Sequence, residues 1–191
     1  MNWNDRLSPT VKAIPPSGIR RFFDIAAEMK GVISLGVGEP DFITPWHIRE
    51  SCIYGLNRGY TSYTSNAGLL ELREEIAKSL YNDYQVTYNP RTEVLVTVGV
   101  SEGLDLAMRA LLSSGDEVLI PEPCYVSYKS CVTLAGGTAV PVPTTIENEF
   151  RITAEELEAY VTPRTKVLLI GYPNNPTGAV MSREDLASIA L

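Results

Sequence analysis

Residues 166–178, Lys166-Val167-Leu168-Leu169-Ile170-Gly171-Tyr172-Pro173-Asn174-Asn175-Pro176-Thr177-Gly178, run from an aliphatic segment straight into a constrained turn. The aliphatic part has a strand's length and is apolar on successive rather than alternate residues, the pattern of a strand covered on both faces. Two segments upstream read the same way: Val94-Leu95-Val96 within a strand Glu93–Val98, and Val118-Leu119-Ile120 in a strand opened by Gly115-Asp116. Thr138–Val142 supplies a further strand. Helical patterns lie between them, so βαβ crossovers follow. The fold class is α/β, with a mainly parallel sheet and helices on both faces. In such sheets ligands gather where strands end at their carboxyl termini.

The intervening helices show their faces and caps. Leu69, Leu72, Ile76 and Leu80 mark an amphipathic helix over 69–84, with Glu74 and Lys78 as a solvated pair one turn apart. Thr44-Pro45 reads as a helix start with Pro45 at the first helical position. Ile19, Phe22, Phe23, Ala26 and Ala27 place an apolar stripe on a helix from Gly18 to Met29. Leu104, Ala107, Met108 and Leu111 face inward from a helix beginning near Glu102, and Ser101 is its expected N-cap. Tyr125–Ala135 and Ala154–Tyr160 are the next helices, the second opened by a Thr153–Glu156 capping box. A last helix is entered through Ser182 and Asp185, and its pattern runs to Leu191 without a C-cap, which reads as an interrupted helix.

Composition narrows the function classes. The chain has 191 residues, 45% hydrophobic and 20% charged, as globular domains have. Its formal charge is −7 without a Lys/Arg block, which disfavours a phosphate-backbone binder, so no nucleic-acid partner is expected. No stretch approaches the length of a membrane span, and the first twenty residues are too polar and proline-rich for a secretory leader. Cys52, Cys124 and Cys131 are an odd number without metal-ligand spacing, which points to a reducing, cytoplasmic setting. Gly36-Val37-Gly38 is followed by Glu39-Pro40-Asp41 rather than a third glycine and a helix, so no dinucleotide fingerprint is present; a Walker pattern is absent too. His47, the single histidine, sits beside Trp46 with nothing to orient it as a base and reads as a surface or interface residue.

Three turns at strand ends carry the candidate chemistry. Gly99-Val100-Ser101 leads into a helix whose first-turn N–H groups and Ser101 hydroxyl suit an anion such as phosphate. Pro121-Glu122-Pro123-Cys124-Tyr125 fixes the backbone before a helix and sets Tyr125 at its mouth, where its ring offers a flat face. Tyr172 to Gly178 packs two prolines, two amides and a glycine against a strand end, so that an amide can donate to a ligand oxygen at a fixed point.

These motifs, in this order, resemble those of the class I/II pyridoxal-phosphate-dependent aminotransferases of aspartate aminotransferase fold type I. Asn174-Asn175-Pro176-Thr177-Gly178 is the sharpest of them. Gly36-Val37-Gly38-Glu39-Pro40-Asp41-Phe42, Tyr63 with Gly68, Val98-Gly99-Val100-Ser101-Glu102, Gly115-Asp116-Glu117-Val118 and Pro121 to Tyr125 support it. The resemblance covers the chain from about Ser17 onward and matches the N-terminal half of the family. It implies an N-terminal arm and part of a small domain over 1–45, and the beginning of the cofactor-binding large domain, incomplete, over 46–191.

The implied activity is transfer of an amino group between an amino acid and a 2-oxo acid, with pyridoxal 5'-phosphate as cofactor. By resemblance, Val100 and Ser101 would hold the phosphate through backbone N–H groups and the Ser101 hydroxyl. Tyr125 would stack on the pyridine ring, Asn175 would bond the phenolic oxygen, and Tyr63 would reach the cofactor phosphate of a neighbouring subunit. Gly38 would let its backbone approach the substrate carboxylate, and Ile19 would border the side-chain pocket. Composite sites of this kind imply a homodimer. Cis peptides are expected at Glu122–Pro123 and Asn175–Pro176. The imine-forming lysine of the family would lie beyond residue 191, since Lys12, Lys30, Lys78, Lys129 and Lys166 read as surface charges. The 191 residues alone are therefore expected to be inactive, and to aggregate through an exposed apolar edge. The same fold also serves β-lyases, synthases and noncatalytic regulatory domains, and the cofactor-holding motifs do not choose among these.

Overall fold

The computed structural model describes residues 3–15, 25, 29, 31, 33, 38 and 40–190. They fall into two compact units, Met1–Ser17 with Val98–Leu191, and Gly18–Thr97. In the first unit the centre is strand β1 (Glu117–Glu122), whose Val118, Leu119, Ile120 and Pro121 are buried. β1 lies between two parallel neighbours, β2 (Thr138–Pro143) and β3 (Thr165–Leu168). Glu117 pairs with Thr138 and Glu122 with Pro143 on one side; on the other the register shifts once, between Glu117 and Val118. Pro141 and Pro143 are tolerated in β2 because it is an outer strand of this three-stranded sheet.

Side chains alternate along β1, and each face has its own core. Val118 and Ile120 pack with Met108 and Leu112 at the end of helix α4 (Gly99–Leu111) and with Cys131 and Val132 of α5 (Ser127–Leu134). Leu119 packs the opposite way, with Val142 of β2, Ile152, and Leu157 of α6 (Ala154–Glu158), while Ile189 of α7 (Arg183–Ala190) closes on that cluster. Burial on both faces is why β1 needs no polar residue from Val118 to Pro121. Each fully buried aliphatic side chain contributes roughly 1.5–3 kcal/mol.

The helix ends show local chemistry at work. At α6 the Thr153 side chain accepts from the Glu156 N–H while Glu156 accepts from the Thr153 N–H, the reciprocal pair that was expected. Ser182 and Asp185 exchange the same two bonds before α7. Gly115, at φ +93°, turns the chain into β1, and the Asp116 carboxylate accepts from the Ser113 N–H across that turn.

In the second unit, α2 (Trp46–Asn57) and α3 (Leu70–Tyr84) are the main elements. Pro45 is the N-cap of α2, one residue outside the expected position, because its ψ of 141° is not helical while its carbonyl accepts from Ile48 and Arg49. Lys78 pairs with Glu75 at 3.2 Å rather than with Glu74, the i,i+3 geometry placing that carboxylate within reach. The expected strand Glu93–Val98 is not formed: residues 94–97 carry no ladder, and the Val96 N–H donates to the Ala67 carbonyl in a loop. Apolar β-branched sequence becomes a strand only where a neighbour supplies a row of donors and acceptors, and no strand among the described residues pairs with this segment. The remaining strands and helices appear with ends moved by one to three residues. Most of the helix expected over Gly18–Met29 lies outside the described residues.

Among those residues no helix is long and apolar enough to cross a membrane. No group of three or more potential metal-ligating side chains is present among them either.

Candidate active site

β1 and β3 run parallel, so the turns that follow them emerge at one end of the sheet. There they form an open hollow of about 250 Å³, solvent included. Pro121 lines it from β1, Cys124 from the turn that follows and Tyr128 from α5; Leu169 to Tyr172, Asn174 and Asn175 line it from the segment after β3. Cys124 and Tyr128 also pack against the core cluster of Val118 and Ile120, which seats the hollow directly on the buried sheet. Gly171 lies close to Tyr128: a Cβ there would fall 2.8 Å from the Tyr128 hydroxyl, which would have to shift.

The two turns are bonded to each other. The Asn174 side-chain amide donates to the Pro123 carbonyl at 3.1 Å. Within its own turn the Asn174 N–H donates to the Ala179 carbonyl and the Gly178 N–H to the Asn174 carbonyl, both at 2.8 Å. Glu122–Pro123 and Asn175–Pro176 are cis as expected, and Tyr172–Pro173 is cis as well.

Asn175 lines the hollow, and its amide makes no hydrogen bond to the described residues. The Tyr125 ring meets Tyr128 edge-on, centroids 5.7 Å apart at 80°, which holds Tyr125 beside the hollow although its side chain is not in the lining. Burial pushes the Cys124 thiol and the Tyr128 phenol above their ordinary pKa values, so both are neutral near pH 7. Lys129 pairs with Glu122 beside the same turn.

Ser101 is placed differently from its expected role. α4 starts at Gly99 and its N-cap is Val98, without a side-chain cap bond, so Ser101 is the third helical residue rather than the cap. The Glu102 carboxylate reaches back to accept the Val98 N–H and Gly99 takes φ +75°; together these allow the earlier start. The N–H groups of Val100 and Ser101 stay in the first turn, where the helix itself provides no acceptor. Both residues are exposed, and neither lines the hollow. Leu104, one turn on from Ser101, packs against the same core cluster as Cys124 and Tyr128.

In the second unit Tyr63 is fully exposed, and the space where a Gly38 Cβ would stand is open to 4 Å. Ile19 lies outside the described residues. His47 is exposed, as expected of a surface residue. Sequence reasoning missed Tyr128, Gly171 and the linking role of Asn174; the crowding of Gly171 by a tyrosine ring has no signal in a one-dimensional pattern.

A parallel α/β sheet with a shallow, open hollow at its strand ends, bordered by constrained Pro- and Asn-rich turns, is an arrangement shared by a broad class of cofactor-binding folds. Within that class the comparison with known sequences is specific. The description "Aminotransferase class I and II" matches residues 30–191, and the chain belongs to that family. It is 56% identical over 184 residues to a putative aminotransferase, YugH, of Bacillus subtilis, covering 96% of this chain and 48% of that protein. An aspartate aminotransferase of Pyrococcus abyssi is 50% identical over the same length, with 47% of it covered. Among solved structures, Thermus thermophilus aspartate aminotransferase with maleate superposes with a TM-score of 0.90 at 38% identity, covering 96% of this chain and 49% of that one. The chain thus spans about half the length of the curated relatives it matches.

Proposed function

We propose that this chain supplies the N-terminal half of a pyridoxal-phosphate-dependent transaminase that exchanges an amino acid and a 2-oxo acid. The observation that carries the proposal is the meeting of the Asn174-Asn175 turn and the Pro123–Tyr125 turn at the carboxyl end of a buried parallel sheet, in a member of the aminotransferase class I and II family. The donor set suits a phosphorylated aromatic ligand: first-turn N–H groups and a hydroxyl at Val100 and Ser101, a restrained ring at Tyr125, and an unengaged amide at Asn175.

When bound, pyridoxal phosphate supplies an electron sink for charge developing at the amino acid's α-carbon. In this reading Val100 and Ser101 donate to the phosphate, and the α4 dipole favours its negative charge. Tyr125 would pack against the pyridine ring, and Asn175 would donate to the phenolic oxygen, favouring its ionised form. By the family resemblance alone, Gly38 would admit the substrate carboxylate close to backbone and Ile19 would border the side-chain pocket. Among the described lysines, Lys78, Lys129 and Lys166 are engaged with Glu75, Glu122 and Asp116, and none lines the hollow. The reading therefore assigns the proton-moving lysine to the part of the relatives that this chain does not span.

Residues 1–45 are taken as an arm and part of a small domain, and 46–191 as the start of the large domain. A homodimer with shared sites is supported by the fully exposed Tyr63 and by the exposed Trp46, Ile53 and Leu56 of α2. Free cysteines at 52, 124 and 131 support a cytoplasmic setting. Relatives named as aspartate and aromatic-amino-acid aminotransferases point to those amino acids as first substrates to try.

The test is a half-reaction on the full-length protein loaded with pyridoxal phosphate and given aspartate or an aromatic amino acid. Formation of pyridoxamine phosphate and the matching 2-oxo acid is the expected outcome. Release of ammonia and pyruvate from a suitable β-substituted amino acid, without pyridoxamine phosphate, overturns transfer in favour of elimination.

A further inference from the structure

We infer that Asn174 is a positioning residue whose side chain locks the turn carrying Asn175 to the turn carrying Tyr125, so that ring plane and phenolic-oxygen donor are held in one fixed relation. The inference rests on the cofactor roles proposed above for those two residues. Asn174 uses both ends of its amide: Nδ2 donates to the Pro123 carbonyl at 3.1 Å, and Oδ1 accepts from the Thr177 N–H at 3.5 Å. Its main chain is held as well, by the bonds to Ala179 and Gly178. Asn174 is therefore fixed within its own turn, and its one bond out of that turn goes to the residue two before Tyr125. On the other side the Glu122 carbonyl accepts from both the Thr144 N–H and its hydroxyl, at 2.8 and 2.7 Å. The Pro123 carbonyl is thus presented from an anchored backbone.

Asn175 and Asn174 divide the work between them. Asn175 leaves its amide for a ligand, while Asn174 spends its amide on the protein. A proline at 123 makes the arrangement one-directional: Pro123 has a carbonyl to offer and no N–H, so the partner must be a donor. Aspartate at 174 would keep the acceptor toward Thr177, lose the donor, and set a carboxylate against the Pro123 carbonyl. A loose relation between the two turns costs affinity because ordering is then left to the moment of binding.

The experiment measures the dissociation constant of pyridoxal phosphate from the full-length protein by equilibrium dialysis, with Asn174→Asp and Asn174→Ser beside the wild type. It also follows the pH titration of the bound cofactor's visible absorbance. The expected result is a dissociation constant raised on the order of tenfold in both variants and a displaced midpoint of the absorbance titration. A value within twofold of wild type with an unmoved titration overturns the inference. Asn175→Ala separates the two layers: if it too leaves affinity and titration unchanged, the cofactor assignment has failed; if it loosens binding while the Asn174 variants do not, only the locking role has failed. In the unsubstituted cofactor-free protein, the Asn174 side-chain amide protons should exchange at least about tenfold more slowly than those of an exposed asparagine. Unprotected protons overturn the lock whether or not the variants fold.

Discussion

The two compact units differ in what they bury. In the unit built on 98–191, the aliphatic residues of β1 are almost wholly withdrawn from water, with relative exposures of 0–2% for Val118, Leu119 and Ile120. In the unit spanning 18–97, Arg73 is the single buried residue among those described, while Trp46, Ile53 and Leu56 of α2 remain more than half exposed. Both units contain well-formed helices. What separates them is the parallel ladder, which brings β1, β2 and β3 together from distant parts of the chain and presents two faces for helices to cover. Helix formation is local, whereas burial requires a second surface.

Paired truncations in the full-length protein put this contrast at risk. Ile120→Ala should cost about 2–5 kcal/mol by chemical denaturation, because a packed site leaves a cavity. Ile53→Ala should cost well above about 0.5 kcal/mol in the full-length protein, because the proposed dimer covers a face that is open in this chain; a cost within about 0.5 kcal/mol would count against that dimer. An Ile53 cost near that of Ile120 would mean that α2 is covered by another surface in the complete molecule, and it would support the dimer.

A backbone change in the less buried unit comes next in size. Gly68 holds φ +93°, and a Cβ there would fall 2.7 Å from the Cβ of Val96. Gly68→Ala should destabilise by about 1–3 kcal/mol, read from the denaturation midpoint. A neutral result would mean that the 65–68 loop and Val96 separate freely. Removing the α6 cap with Thr153→Ala should cost about 1 kcal/mol, a loss confined to the unit that holds the hollow.

The smallest effect is on the acid side. Asp116 is held below its usual carboxylate range by the Ser113 N–H and then by Lys166, Glu117 by the Thr162 hydroxyl and then Arg164, and Asp185 by Ser182. A lowered folded-state pKa stabilises above the unfolded value, near pH 4, and that stabilisation is lost as pH falls through the folded value. Unfolding midpoints should therefore be flat near neutrality and drop below about pH 4, and Thr162→Val should soften the drop. An acid limb identical to wild type in Thr162→Val would remove Glu117 from the account.

The candidate site was legible in the sequence to different depths. Asn175 could be found because amides, prolines and a glycine crowd the end of an aliphatic strand, and such density is costly unless a fixed geometry is needed. The two prolines before Tyr125 marked the turn that precedes α5, although the Tyr125 side chain does not line the hollow. Ser101 was placed in the right turn but given the wrong position, since the choice between Val98 and Ser101 as N-cap depends on Glu102 reaching back to a backbone N–H. The segment 93–98 was misread because β propensity says nothing about whether a partner strand is present.

By itself the amino-acid order determined the helices after residue 45, strands β1 to β3, the Thr153–Glu156 cap and the turns that follow β1 and β3. All of these depend on neighbours within a few residues, where side-chain pattern and backbone restriction act directly. Only the tertiary structure decided which strands pair, that Asn174 rather than Asn175 crosses to Pro123, and that the Tyr128 hydroxyl occupies the space beside Gly171. Those contacts join residues 51 positions apart at Asn174 and Pro123 and 43 apart (171 − 128) at Gly171 and Tyr128, and they are set by the register of a parallel sheet, which exists only after the chain has closed on itself.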